Sequence, residues 1–300
     1  MVGFLLVHLA PGDPIIALAG ENGDAAYYAF MRQRFGLDLP LPVQFVIYAE
    51  RVAMGDLGTS YVYGRSAFAV IAERIPATQL LTGTALLISI VIALPLGALA
   101  ARRPNHTSDV GISGLALALY SAPVFWIGQI GILILAVWLG WLPVQGMTDA
   151  GSGSHGVAHA RDVARHLVLP ALVLASHELA VLIRVTRAGF VQEMTHDHIR
   201  TARGKGVTEL RVLWYHAFPR ALLPVIIVVG SRAGQLVTGA VVVELVFGWP
   251  GIGRLLLAAV QARDIPVLLG IFMLVSLSVV LINLVTDVVH ASRDPRVQLG

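Results

Sequence analysis

Histidine is the residue of this chain whose spacing comes closest to a metal-ligating pattern. His155, His159 and His166 lie within about a dozen residues, and histidines four positions apart share one face of a helix and can bind one metal ion. The Gly/Ser-rich stretch Gly151–Gly156 is typical of a flexible loop, which favours histidines without a metal. The absence of Cys excludes thiol catalysis, Cys-based zinc sites and iron–sulfur ligation, and no Gly-x-Ser-x-Gly elbow indicates acyl transfer. We therefore predict no catalytic residue, no metal and no cofactor.

Charged residues inside apolar stretches are the second group that could carry a function. These residues are Glu178, Arg184, Arg232 and Glu244. A charge in the hydrocarbon of a membrane is costly unless it faces a partner or water. One interpretation is a structural ion pair, or an Arg184 side chain that extends to the inner membrane surface. The other is the lining of a polar pathway through the membrane, with Glu178 and Arg232 among its residues, that meets the charged groups of a solute.

The loop Phe247–Arg254 combines rigid and permissive residues. Pro250 presets φ for a turn, and Gly251 permits the positive φ that a type II turn requires at its next position. We expect an outer gate here, with Trp249 at the tip of the turn and Glu244 beside it. Glu244 lies about 18 Å along the helix from Arg232, so its partner is expected on another span.

The composition indicates the environment of these residues. Charged residues make up 13% of the 300 residues, about half the share in soluble globular proteins, hydrophobic residues make up 56%, and the mean hydropathy is +0.77. A soluble protein of this size could not bury that much apolar surface in one core. Disordered, collagen-like and disulfide-stapled classes are excluded. The chain is predicted to be an all-α, polytopic membrane protein.

Stretches with few or no Asp, Glu, Lys or Arg residues locate the membrane spans, since a helix needs about 20 apolar residues to cross. The five predicted complete spans are Ile75–Ala101, Ile112–Leu139, His166–Val185, Leu222–Phe247 and Ile265–Thr286. Met1–Ala10 is apolar but only about 15 Å long as a helix. It is interpreted as the outer half of a sixth span, the first along the chain, whose beginning this sequence lacks.

The distribution of Arg and Lys orients these spans. The connections 102–109, 186–221 and 291–300 carry about twice the density of basic residues found in the other connections. By the positive-inside rule they lie in the cytoplasm, with both termini of the full-length protein. The predicted organisation is a partial first span (1–10), an extracytoplasmic segment (11–74) and a five-helix core (75–300) with a cytoplasmic loop at 187–221.

The cytoplasmic stretch Thr195–Pro219 is predicted to form two short helices joined by a turn. Asp197 can cap the first helix, and Thr208 can cap the second. Gly204 and Gly206 permit the turn between them. The pair would display Arg200, Arg203, Lys205 and Arg211. The alternative is a basic loop whose charges only fix the orientation of the spans.

Two segments of this stretch carry a resemblance to a known family. Arg200–Gly206 (RTARGKG) is followed, after nine residues, by His216–Pro219 (HAFP). This arrangement resembles the EAA loop of ABC-importer permeases, with Arg200 in place of the Glu, and it is similar to the RTARAKG variant of the dipeptide/oligopeptide permease family. Further matches follow in the family's order at Leu9–Pro14, Gly55–Gly58, Glu73–Thr78, Gly239–Glu244, Phe247–Arg254 and Asp294–Val297. The long outer segment is typical of the first of the family's two paired permeases.

The resemblance implies that the EAA loop docks in a cleft of a cytoplasmic ATPase and passes its motion to the spans. The ATPase-coupling residues expected on this basis are Arg200, Thr201, Ala202, Arg203, Lys205, Gly206, Glu209, His216 and Pro219. The chain has no Walker A sequence, GxxxxGK[ST], so ATP hydrolysis is expected on separate subunits and the chain itself is not predicted to be an enzyme.

The resemblance further implies a type I ABC-importer permease architecture in the bacterial inner membrane. The function would be the channel-forming subunit of an ATP-driven importer of dipeptides and oligopeptides. Its partners would be a second homologous permease, two cytoplasmic ATPases, an extracytoplasmic peptide-binding protein and membrane lipid, but no nucleic acid. Alternatives are the same architecture importing nickel chelates, glutathione or opines. An intramembrane enzyme or signalling protein would need a catalytic constellation that the sequence does not show.

Overall fold

The computed structural model describes residues 24–149, 151 and 155–293, together with Phe4 and Ile15. Within these residues the structure is helical and has no strand, only an isolated bridge between Thr59 and Ser66, which confirms the all-α prediction. The helices, numbered along the described residues, are α1 (Ala25–Phe35), α2 (Leu41–Ala53), α3 (Ala67–Ala72), α4 (Ile75–Arg102), α5 (Thr107–Ser121), α6 (Val124–Gly131), the π-helix π1 (Ile132–Trp138), α7 (Val157–Glu193), α8 (Asp197–Gly204), α9 (Glu209–Arg211), the π-helix π2 (Val212–Ala217), α10 (Phe218–Val246), α11 (Ile252–Ala262) and α12 (Ile265–Arg293).

Most of the predicted spans correspond to long helices. Among the described residues, the stretches long and apolar enough to cross a membrane are Ala67–Arg102, Val157–Glu193, Glu209–Arg232 and Ile265–Val288. The predicted span Leu222–Phe247 lies in α10 except for its last residue. The prediction for Met1–Ala10 falls outside the described residues apart from Phe4, which is helical and buried.

The predicted span Ile112–Leu139 is wrong as one continuous helix. The chain bends by 101° between α5 and α6. Pro123 accounts for the break, because it has no N–H to donate and disfavours the α conformation of the residue before it. Ala122 is accordingly extended, with φ −79° and ψ 132°. Counted as one broken span, the pair of helices brings the spans among the described residues to five.

The chain forms two compact units. The first contains the described residues up to Thr78 and Pro250–Leu277, and the second contains Gln79–Trp249 and the described residues from Ser278 onward. In the first unit, α3, α11 and the first half of α12 share an apolar core that includes Ile71, Leu255 and Val267. Where it is described, the predicted extracytoplasmic segment is therefore largely helical, and it shares its core with α11 and α12.

A buried carboxylate, Asp264, holds the irregular loop of the first unit. It accepts hydrogen bonds from the Ser60 hydroxyl and from the N–H groups of Tyr61 (3.1 Å) and Val62 (3.3 Å). Burial raises the pKa of the Tyr61 phenol, and the negative charge of Asp264 raises it further, while Arg51 lowers it. The Tyr61 hydroxyl is therefore neutral at physiological pH. The hydrogen bonds to Asp264 fix this loop to the start of α12.

The central helix of the second unit is α7, which packs against α5, α6 and α10. Two glycines allow its close approach to neighbouring helices. A Cβ added at Gly97 of α4 would lie 2.6 Å from the Thr186 Cβ, and one added at Gly189 of α7 would lie 2.9 Å from the Ala221 carbonyl oxygen. The helices could not meet at these distances with any larger residue.

Candidate functional site

The candidate coupling site is the turn between α8 and α9, and its central residue behaves as the sequence predicts. Gly206 has φ 78°, which glycine adopts without strain. Its N–H donates to the Arg203 carbonyl at 2.9 Å, and the Val207 N–H donates to the Ala202 carbonyl at 3.2 Å. These two bonds form a Schellman motif, which satisfies the last carbonyl groups of α8.

A charged pair closes the same turn from outside. The Arg203 Nε lies 2.8 Å from the Glu209 Oε1, and the Arg203 Nη2 lies 3.2 Å from the Glu209 Oε2. Both side chains are partly exposed, by 39% and 47%. The turn is therefore held by backbone hydrogen bonds and by a bidentate ion pair, and two predicted coupling residues contact each other directly.

The helix caps around this turn differ from the prediction. Asp197 is the first residue of α8 and not its cap, since His196 occupies the cap position. The Asp197 carbonyl accepts the Thr201 hydroxyl at 3.0 Å, and its carboxylate lies 3.8 Å from Arg200. Thr208 does occupy the cap position of α9, but its side chain makes no capping hydrogen bond.

The prediction of a separate second short helix is wrong. α9 continues through π2 into α10, so the coupling segment and the following span form one uninterrupted helical stretch. Pro219 removes one backbone donor near the start of α10, and the wider turns of π2 directly before it let the helix continue past this proline. A displacement of α9 is therefore transmitted along α10 without an intervening loop.

The inner face of α8 packs against α7 and π2. Ile199 and Ala202 are buried, and they pack in one core with Phe190 of α7 and with Val212 and Leu213 of π2. This core couples α8 mechanically to the ends of two long helices.

The outer face of the coupling segment is exposed and includes residues that sequence reasoning missed. Arg200 and Lys205 are exposed, as predicted. Leu210 and Tyr215 are also exposed, by 61% and 70%, and the Arg211 guanidinium lies 5.9 Å from the Tyr215 ring. Large apolar groups beside a charged turn are typical of a protein-binding surface. Apolar residues in a stretch predicted to be a solvated helix were the signal that could have identified them.

A polar cluster joins the two ends of the coupling segment. The Glu193 Oε1 at the end of α7 lies 3.0 Å from the His198 Nε2 and 3.8 Å from the Arg220 Nη1. The Arg220 Nη1 also lies 3.0 Å from the His198 Nδ1. The predicted residue His216 is outside this cluster; it is half-buried, and its ring contacts that of Tyr215.

The predicted intramembrane charges fall into separate groups. The Glu178 Oε2 lies 3.8 Å from the Arg232 Nε, which joins α7 to α10 and supports the interpretation as a structural ion pair. Arg187 of α7 binds Asp109 of α5, with 2.6 Å between its Nη2 and the Asp109 Oδ2. Arg184 contacts an aromatic ring instead, that of Tyr120.

The turn after α10 has a different geometry from the one predicted. Gly251 has φ −98° and ψ −171°, an extended conformation, so the type II turn with positive φ at Gly251 is wrong. The left-handed residue is Gly248, with φ 59°. The Trp249 N–H donates to the Glu244 carbonyl at 2.9 Å, so this turn is a second Schellman motif. The need of α10 for a C-terminal cap places the left-handed residue at Gly248.

The side chains of this second turn are buried. Glu244 and Trp249 are both 0% exposed. The prediction that Trp249 forms the tip of the turn is therefore wrong, because the indole packs inside the protein. Of the residues predicted to form the gate, Glu244, Trp249 and Gly251 are buried and Pro250 is half-buried.

The predicted histidine group is not assembled. His155 and His159 are exposed and separate from His166, which is buried. The His166 Nε2 lies 3.6 Å from an Asp149 carboxylate oxygen, and its Nδ1 lies 2.9 Å from the Asp162 carbonyl. These contacts tie the loop before α7 to that helix.

Two family models match the chain. Residues 93–299 match the model described as the binding-protein-dependent transport system inner membrane component. Residues 1–82 match the model of the N-terminal part of this membrane component.

Curated relatives match over nearly the full chain. The sequence is 40% identical over 296 residues to the glutathione transport system permease protein GsiC of Salmonella typhi, which covers 98% of this chain and 92% of the relative. It is 37% identical over 313 residues to the di/tripeptide transport system permease protein DppB of Pseudomonas aeruginosa (strain UCBPP-PA14), which covers 99% and 93%.

Solved structures share the fold. The inward-facing MetNI methionine ABC transporter matches with a TM-score of 0.60 and 17% identity, over 74% of this chain and 95% of that one. An amino acid ABC transporter with histidines matches with a TM-score of 0.51 and 15% identity, over 76% and 94%.

Proposed function

The chain belongs to the family of binding-protein-dependent transport system inner membrane components, and from this premise we propose that it is the first of two paired permeases in an ATP-driven importer of short peptides. It is an ABC-importer permease with the type I fold, a multi-pass protein of the inner membrane. ATP hydrolysis is assigned to two separate cytoplasmic subunits, and peptide capture to an extracytoplasmic binding protein. The coupling loop and both termini of the full-length protein lie in the cytoplasm.

The observation that carries this proposal is the way in which the coupling segment is mounted. α8 is buried on one face against α7 and π2, and α9 runs without a break into α10. An ATPase bound to the exposed face of the coupling segment would move α7 and α10 together. This face carries Arg200, Lys205, Leu210 and Tyr215. Such rigid-body motion is the general means by which domain displacement is passed between sites.

The substrate class rests on the relatives. DppB is named for di- and tripeptides, which supports import of short peptides by this chain. GsiC is named for glutathione, which favours glutathione as a second candidate. Both candidates are small peptide-like molecules with free carboxylates, so they make similar demands on a pathway.

The turn after α10 would contribute to closure of the outer end of the pathway. Its support is the burial of Glu244 and Trp249 around the Schellman motif, with Pro250 and the extended Gly251 leading into α11. Glu178 and Arg232 would brace α7 and α10 along the pathway. Glu244→Gln should reduce peptide uptake while leaving ATPase binding intact, because the coupling segment is untouched.

The decisive experiment is transport by the complete complex in proteoliposomes. The complex of both permeases and both ATPases, with binding protein outside, should import labelled dialanine in an ATP-dependent manner. Glutathione is the second arm under the same conditions. Import of glutathione alone would replace the first substrate assignment with the second, and import of neither would refute the proposed substrate class.

A further inference from the structure

An aromatic ring shared by two basic residues lies on one side of α5 and α7. The Tyr120 ring stacks on the His177 imidazole, with 4.6 Å between ring centroids and 21° between the planes. The Arg184 Cζ lies 4.8 Å from the centroid of the same Tyr120 ring. Tyr120 and Arg184 are exposed, and His177 is half-buried. We call these three residues the Arg184 cluster.

The cluster lies deep along the spans. The ion pair between Asp109 and Arg187 stands near the start of α5 and the coupling-loop end of α7. Tyr120 follows Asp109 by about 16 Å along α5, and His177 precedes Arg187 by about 15 Å along α7. Half of a hydrocarbon core about 30 Å thick is also about 15 Å. Measured from this ion pair, the Tyr120 and His177 rings are therefore near mid-depth, and the Arg184 guanidinium lies beside them.

The Arg184 side chain is directed into the span and not toward the nearer end. Side chains on a helix lean toward its N-terminus, which for α7 is the end opposite the coupling segment. The contact with Tyr120, well along α5 from Asp109, agrees with that direction. This geometry argues against the interpretation in which Arg184 extends to the inner membrane surface.

The charge of Arg184 is not neutralised within the part of the chain that the structure describes. Arg187 binds Asp109, and Arg232 lies beside Glu178, but no carboxylate of the described residues lies within ion-pair distance of Arg184. An exposed cation at this depth must face water or an anion, because hydrocarbon solvates it poorly.

We propose that the Arg184 cluster lines the translocation pathway and binds the C-terminal carboxylate of the transported peptide. This inference rests on the proposed function. A guanidinium binds a carboxylate through two parallel hydrogen bonds, and the Tyr120 ring orients its plane. His177 supplies a second ring nitrogen beside it. A carboxylate terminus is common to all unmodified peptides. The site would therefore bind peptides that differ in their side chains.

The first test compares charge variants of the complete complex in proteoliposomes. Arg184→Gln should lower dialanine uptake at least tenfold, while co-purification of the subunits and binding-protein-stimulated ATP hydrolysis remain. Arg184→Lys, which keeps the charge, should retain more uptake than Arg184→Gln. Unchanged uptake in Arg184→Gln would overturn the proposal. Loss of co-purification would also overturn it, by showing a contact between subunits.

The second test uses the absence of Cys from the chain. Arg184→Cys, in a complex whose other subunits are Cys-free, should react with water-soluble methanethiosulfonate reagents, and dialanine with binding protein should slow the reaction. An aminoethyl adduct should restore uptake, and a sulfonatoethyl adduct should not; Arg184→Gln is the control without a thiol. An unreactive thiol would overturn the pathway assignment. If the wild-type complex imports no peptide, the proposed function fails, and the thiol reaction still decides whether Arg184 faces the pathway.

Discussion

Two of the Schellman motifs among the described residues, those at Gly206 and Gly248, have the same backbone geometry in opposite surroundings. Both glycines have positive φ, and both motifs satisfy the last carbonyl groups of a helix. The turn at Gly206 is exposed and carries the Arg203–Glu209 pair on its outside. The turn at Gly248 is surrounded by buried side chains, including Trp249. The same local geometry therefore occurs both in an exposed turn, where we propose docking, and in a buried turn, and the burial of the neighbouring side chains distinguishes the two.

The largest effect should come from Trp249→Ala at the buried turn. Removing a fully buried indole leaves a cavity, and the expected loss of stability is about 3–5 kcal/mol. The matched control is Tyr215→Ala, because this aromatic ring is 70% exposed. We expect Tyr215→Ala to keep the thermal unfolding midpoint and to weaken ATPase co-purification. Equal midpoints for the two variants in detergent would contradict the contrast between the turns.

Gly248→Val should be the next most damaging change. A β-branched residue at φ 59° is strained, and its Cβ would also lie 3.5 Å from the Gln145 Oε1, so we expect a loss of about 2 kcal/mol in the free energy of unfolding. Asparagine tolerates the left-handed region better, so Gly248→Asn should lose less. Thermal unfolding of both purified variants measures the difference. Val and Asn variants of equal stability would show that backbone strain at Gly248 does not matter.

Gly206→Val should destabilise the protein less than Gly248→Val does, but it should impair transport and ATPase binding. The space around a Cβ at Gly206 is open, so the penalty is the strained φ alone, about 1 kcal/mol. The protein should still insert in the membrane, while transport and ATPase co-purification fall because α8 and α9 no longer meet at the same angle. Gly204→Ala is the control, since Gly204 is helical and also has open space around it. Normal transport by Gly206→Val would remove the coupling role.

The smallest effect is expected for Glu209→Gln. The ion pair with Arg203 lies at the surface and is partly exposed, and surface pairs contribute at most about 1 kcal/mol. We expect no measurable change in the unfolding midpoint and a modest weakening of ATPase binding at low salt. A stability loss as large as that of Gly248→Val would show that the exposed turn is a structural anchor too.

The sequence predicted the features that depend on local chemistry. Charge-free stretches located most spans, and of the two glycines predicted in the coupling turn, Gly206 has the positive φ of a turn residue and Gly204 lies inside α8. Features set by neighbouring helices were not predictable in this way. Gly251 and Gly248 are both glycines near Pro250, and only the position at which α10 ends decides which one has positive φ.

The remaining errors have different origins. The merging of α9 with α10 depends on the π2 turns ahead of Pro219, which no propensity indicates. The break at Pro123 was available from the sequence, but apolar composition alone suggested a continuous span. The contacts of Tyr120 with His177 and Arg184 join helices distant in sequence and required the structure.

The hydrogen bonds of Asp264 impose an order on biosynthesis. Its partner Ser60 lies 204 residues earlier in the chain. At about 5–20 residues per second, a ribosome needs roughly 10–40 s to synthesise that interval. During this time the loop at Ser60–Val62 lacks the acceptor that its N–H groups bind in the finished protein. The first unit therefore completes its assembly only after Asp264 and the start of α12 have been synthesised, which makes its maturation a late event in biosynthesis.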